Sequence, residues 1–252
     1  MSDTPQTFWG HLDELRWVLL RSLAVVVIVA VALFCLKEWL FAIVLAPHSG
    51  DFITYRLMGA EPFSIDLINT ALTEQFMTHM RVAFYGALLF ALPYVLYELF
   101  RFVSPGLYAG ERRAAVWVVV SSYVMFALGT AINYFIVFPF TLRFLGTYQV
   151  SADVTPMLTL QSYIDTLISM SFVMGVVFEL PVLCAILGRA GMLTSRVMRH
   201  YRRHAVIAIL VVAAIITPTT DVFTLMIVSL PIWLLYEASI LLVPQKKDKH
   251  TL

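Results

Sequence analysis

FVSPGLYAGERR, residues 102–113, is a polar, turn-rich island between two long apolar runs, and it carries a carboxylate beside two arginines. Ser104-Pro105-Gly106 is turn chemistry: Pro105 fixes one backbone angle and Gly106 is free to take a positive one, so the helix arriving from Val82 stops here. Residues 108–113 then restart a helix. Taken alone, Arg112 and Arg113 need do no more than hold a solvated connector on the cytoplasmic side of a membrane. Whether Glu111 does more depends on the rest of the chain.

Composition sets the class. Of 252 residues, 60% are hydrophobic and only 13% are charged, with a mean hydropathy of +0.85, which leaves no room for a water-soluble domain. The chain reads as one all-α integral membrane domain over residues 1–252. Cys35 and Cys184 lie inside apolar runs and read as small buried hydrophobes, with no disulfide expected.

In chain order, residues 8–21 form an amphipathic segment with Leu12, Leu15 and Leu19 opposite Asp13 and Arg16, read as an interfacial helix entering the membrane. Six spans follow at about 17–36, 76–100, 114–138, 163–187, 205–217 and 222–243. Residues 37–74 are a mixed, mostly acidic segment with short amphipathic pieces such as 39–45, expected outside the membrane. The third span is expected to stop at Pro139, and Glu179 and Pro181 interrupt the fourth. The fifth is only about 20 Å long, short against a hydrocarbon core of ~30 Å, and Pro231 is expected to break the sixth. Short fifth and sixth spans predict a concave bundle. With this layout, 13 of the 17 lysines and arginines fall in the N-terminal region, the two inner loops and the tail, which predicts both termini on the cytoplasmic side.

The exclusions are as informative. There is no internal repeat of the kind common in secondary transporters, no HExxH, GxSxG or Walker loop, and no Cys/His cluster. His11 with Glu14 lacks the second histidine a zinc protease needs. No enzyme activity, metal, cofactor or nucleic-acid partner is expected.

Five motifs then stand in order: HLDELR at 11–16, FVSPGLYAGERR at 102–113, NYFIVFPF at 133–140, FVMGVVFELPV at 172–182 and TPTTDVFTLMIVSLP at 217–231. In this order and spacing the chain resembles the TatC family, the six-span receptor subunit of the twin-arginine protein translocase. The resemblance implies a plasma (inner) membrane protein that binds signal peptides bearing consecutive arginines on folded cargo. It implies assembly with single-span TatA- and TatB-type subunits, and with further copies of itself in the receptor complex, for export driven by the proton-motive force.

The residue types fit that role. Adjacent arginines call for carboxylates, because a guanidinium offers forked donors that a carboxylate accepts in pairs and a lysine ammonium cannot imitate. The resemblance places signal-peptide binding at Glu14, Glu111, Arg16, Glu98, Phe102 and Pro105, and contact with a partner helix at Thr217, Pro218 and Asp221. Glu98 stands where the family more often has glutamine, Phe100 where it usually has tryptophan, and Leu225 where it has a glutamine. The bland reading of Glu14 is a helix-surface acid paired along its own helix.

Glu179 lies about ten residues before Arg189, some 15 Å into the membrane at helical rise, where an ionised carboxylate must face water, protein or a partner. It is either a structural acid hydrogen-bonded between helices or a polar notch that meets an arriving helix during transport. Two alternatives to a receptor stay open at this point: a proton-coupled carrier using Glu179, and a membrane scaffold.

Overall fold

A computed structural model describes residues 8–57, 59, 66–103, 111–148, 157–217 and 221–243. These form α1 (Phe8–Cys35), α2 (Lys37–Val44), a 3₁₀ turn (Ala46–His48), α3 (Ile53–Leu57), β1 (Leu67–Ile68), α4 (Glu74–Val103) and α5 (Glu111–Ile132). A π turn (Asn133–Val137), α6 (Phe138–Thr147), β2 (Leu158–Thr159), α7 (Leu160–Val177), α8 (Leu180–Arg189), α9 (Ser195–His200), α10 (Arg202–Ile216) and α11 (Val222–Leu242) complete the order. Two compact units result: the described residues up to Ile43 with Gln75–Tyr123, and Val44–Glu74 with the described residues from Val124 on.

Five segments are long and apolar enough to cross a membrane: Leu12–Cys35, Glu74–Leu99, Val116–Thr147, Leu160–Arg189 and Val222–Leu242. The remaining span of this six-span, all-α fold is α10, whose 15 residues reach about 22 Å. The short fifth span is therefore present.

Three expectations are corrected. The interfacial helix and the first span are a single helix of 28 residues, because nothing between His11 and Cys35 is glycine or proline. Its Leu12 and Leu19 are exposed, while Val18, Ser22, Val26 and Leu33 form the buried stripe, so the apolar side faces outward as a lipid solvent requires. Pro139 does not end the third span; it sits in the first turn of α6, where a missing amide is tolerated, and the rod runs on to Thr147. Pro231 does not break or shorten the sixth span, which is one helix of 21 residues. Val228, Ile232 and Leu235 are buried around that proline, and α11 packs on both α8 and α10, so packing outweighs one lost backbone bond.

In the first unit, α1 and α4 run antiparallel. Arg21 meets Glu98 and, twelve residues further along α1, Leu33 lies over Gly86, twelve residues back along α4. Phe34 stacks face to face on His79 with ring centroids 4.0 Å apart, and Phe41 of α2 meets His79 edge-on. Both cysteines are free, and Cys35, expected buried, is exposed at the end of α1.

In the second unit, the segment between α2 and α4 docks on the π turn. Phe52 stacks on Phe135 and meets Tyr134 edge-on, and Thr54 donates its hydroxyl to the Phe135 carbonyl. The Tyr55 phenol reaches the carbonyls of Pro47 and Pro139, each at 3.1 Å, and burial holds its pKa well above the ordinary tyrosine value, so it stays a donor. β1 and β2 pair in parallel, Leu67 with Leu158 and Ile68 with Thr159. The buried Glu74 carboxylate fastens the same two connections: Oε2 accepts from the Thr70 amide (2.7 Å), the Thr70 hydroxyl and the Ala71 amide, and Oε1 accepts from the Gln161 amide at 2.9 Å. α5 and α7 cross at two glycines, Gly129 against Met174 and Phe178, and Gly175 against Phe126.

Candidate functional site

In the first unit, Glu14 lies on α1, Glu98 near the end of α4 and Glu111 at the start of α5. Glu14 lies on the buried face of α1, one turn before Val18, and its Oε2 is buried with no hydrogen-bond donor among the described residues. Arg16 follows two residues later, about 200° round the helix, and is exposed. The two therefore do not share a face.

Glu98 is only 3% exposed; its Oε2, which accepts no hydrogen bond among the described residues, forms an ion pair with Arg21 at 3.2 Å, and the Tyr94 hydroxyl donates to Oε1 at 3.2 Å. Phe102, half-buried, follows one turn later near the end of α4. Glu111 opens α5, but its side chain and Pro105 lie outside the described residues. The structure thus brings Glu98 to Arg21 and leaves Glu14 with an open acceptor.

Arg21 and Tyr94 were not foreseen. The signal was available in Glu98 itself, because an acid placed where the family carries a neutral amide needs a counter-charge once it is buried. Of the four bonds that Glu74 accepts, three are local, and the one from the Gln161 amide crosses 87 residues of sequence that no local pattern announces.

In the second unit, Glu179 stands at the break between α7 and α8. The α-helical ladder stops at Val177, as the missing amide of Pro181 demands, and the Glu179 amide turns back to the Val176 carbonyl at 3.1 Å. The Glu179 side chain is half-buried and does not cap α8. Phe178 beside it is buried against the glycine crossing. At the other end of this unit, Thr217 closes α10 with its hydroxyl buried and no partner for it among the described residues. Asp221 caps α11, accepting the Thr224 amide at 2.8 Å on Oδ1 and the Thr224 hydroxyl on Oδ2. Pro218 lies outside the described residues.

Comparison with known proteins covers both units. Residues 10–231 match the model of the family described as Sec-independent protein translocase protein (TatC). A TatC protein of Desulforapulum autotrophicum is 34% identical over 96% of this chain and 86% of its own length, and one of Campylobacter jejuni is 32% identical over 96% of each. A crystal structure of the twin arginine translocase receptor TatC in the detergent DDM superposes with a TM-score of 0.76 at 30% identity, covering 93% of this chain and 99% of that one. A second crystal structure of that receptor gives a TM-score of 0.73 at 31% identity, over 92% and 97% of the two chains.

Proposed function

The chain belongs to the TatC family of Sec-independent protein translocase proteins, and from that premise we propose that it is the receptor of a twin-arginine translocase. It is a multi-pass membrane component of a translocase, not an enzyme, and it works with other Tat subunits. The carrier and scaffold alternatives lose their motive with family membership. In the proposed reading the protein lies in the plasma (inner) membrane with both termini cytoplasmic, the arrangement that puts 13 of its 17 lysines and arginines inside. It binds the paired arginines of a signal peptide through Glu14 and Glu111, with Arg16, Phe102 and Pro105 bordering the site.

The observation that carries this reading is the state of Glu14. A carboxylate oxygen turned into protein with no donor among the described residues is an unfavourable arrangement that an arriving cation relieves, since a buried unmet acceptor costs about 1–3 kcal/mol. In the second unit, the Thr217 hydroxyl, without a partner among the described residues, offers a bond to the helix of a single-span TatA- or TatB-type partner, with Pro218 next in sequence and the capped Asp221 following.

The test is binding of a labelled twin-arginine peptide. Glu14→Ala and Glu111→Ala each weaken it about tenfold or more, as the loss of a charge-assisted bond of ~1.5–3 kcal/mol requires. A peptide with lysines in place of the arginines loses much of its affinity for the unaltered protein. A double variant that binds as tightly as the unaltered protein overturns the assignment.

A further inference from the structure

Two carboxylates and one guanidinium lie on α1 or against it. Glu98 is buried and takes the guanidinium of Arg21 at 3.2 Å; Glu14 is on the same helix as Arg21, and its Oε2 has no donor among the described residues. Seven residues separate Glu14 from Arg21, which is within about 20° of two full turns and about 10.5 Å of axial rise. An arginine and a glutamate extended toward each other close that separation. Arg21 has the freedom to do so, because its side chain is 43% exposed while that of Glu98 is 4% exposed.

We propose that Arg21 is a specificity-determining residue: held by Glu98, it leaves Glu14 open to an incoming guanidinium, and deprived of the Glu98 charge it turns to Glu14 and closes the site against cationic peptides. The inference rests on the reading of Glu14 as a signal-peptide ligand and adds the reason its acceptor is open. It inverts the usual expectation for Glu98. If Glu98 were itself a ligand for the peptide, its loss could not be repaired by removing an arginine. If Glu98 acts by holding Arg21, removing both restores the site.

The full-length protein in lipid nanodiscs, with a labelled twin-arginine peptide as probe, separates these cases. Glu98→Gln is expected to weaken binding about tenfold, the loss of one charge-assisted contact. The double variant Arg21→Asn/Glu98→Gln is expected to return to within about twofold of the unaltered protein, since neither charge then needs a partner. Equal weakening in the single and double variants would make Glu98 a direct ligand and overturn the proposal, and unaltered binding in Glu98→Gln would overturn it too.

A second measurement needs no peptide. Glu14→Gln is expected to lower the melting temperature in the Glu98→Gln background and not in the unaltered protein or in Arg21→Asn/Glu98→Gln. The same shift in all three backgrounds would show that Arg21 does not reach Glu14. If the coupling appears while the unaltered protein does not distinguish arginine from lysine peptides, the exchange of ion-pair partner stands and the receptor reading fails.

Discussion

Thr54 donates its hydroxyl to the carbonyl of Phe135, the group that an amide at position 139 would have served had that residue not been proline. The segment between α2 and α4 thus completes the helix it rests on. Thr54→Val keeps the shape and removes the donor, and is expected to lower stability by about 1 kcal/mol. In a Pro139→Ala background, where the helix can supply its own amide, the same change is expected to matter less. Thermal unfolding of the four proteins in one detergent gives the coupling; additive shifts would dissociate the two residues.

Glu74 presents a different test. Gln keeps the length but turns one acceptor oxygen into a donor, so either the bonds to Thr70 and Ala71 or the bond to Gln161 is lost. Glu74→Gln is expected to lower the melting temperature by several degrees and Glu74→Ala by more. Proteolysis after the β1–β2 pairing loosens is expected to begin in the segments on either side of it. An unchanged melting temperature in Glu74→Ala would show the staple to be dispensable.

The two glycines of the α5–α7 crossing differ in what a side chain would strike. A Cβ at Gly129 would lie 2.7 Å from the backbone oxygen of Met174, whereas at Gly175 it would lie 2.7 Å from the ring of Phe126. A ring on a flexible stem can move aside and a helix backbone cannot. Both Ala variants are overpacked, at a typical cost of about 1–3 kcal/mol, and Gly129→Ala is expected to be the more damaging. The reverse order in melting temperature would contradict the geometry.

Glu179, at the α7–α8 break, is expected to act after the signal arginines have docked. Glu179→Ala should then leave peptide affinity nearly intact while reducing export, and Glu179→Gln tells whether charge or hydrogen bonding is needed. Export at the ordinary rate by a normally expressed Glu179→Ala protein removes this role.

Much of this was legible in the sequence because a membrane imposes simple lengths. The spans, the short α10 and the break before Pro181 follow from hydropathy, rise per residue and the missing amide of proline. What failed was the treatment of proline as punctuation. Pro139 and Pro231 stand in helices that continue, one because Thr54 and a first-turn position accommodate it, the other because α11 is packed on two sides. The acids at Glu14 and Glu98 could be located from the chain, but not told apart. Their difference lies in Arg21, half-exposed two turns along α1 from Glu14 and ion-paired with Glu98, and a pairing between residues 77 positions apart leaves no periodic trace.

The π turn at Asn133–Val137 holds one residue more than the regular helix needs, with the Phe138 amide reaching back five residues to the Asn133 carbonyl. An extra residue absorbed in this way leaves both flanks in phase, whereas the same insertion elsewhere in the rod would rotate everything beyond it by about 100°. These five positions are therefore where a relative can be one residue shorter without consequence for the crossings above and below. Gly129 would still meet Met174 and Phe138 would still meet Tyr163. A single-residue gap in an alignment of such chains belongs here, and one placed a turn to either side would misassign the faces of the residues in between.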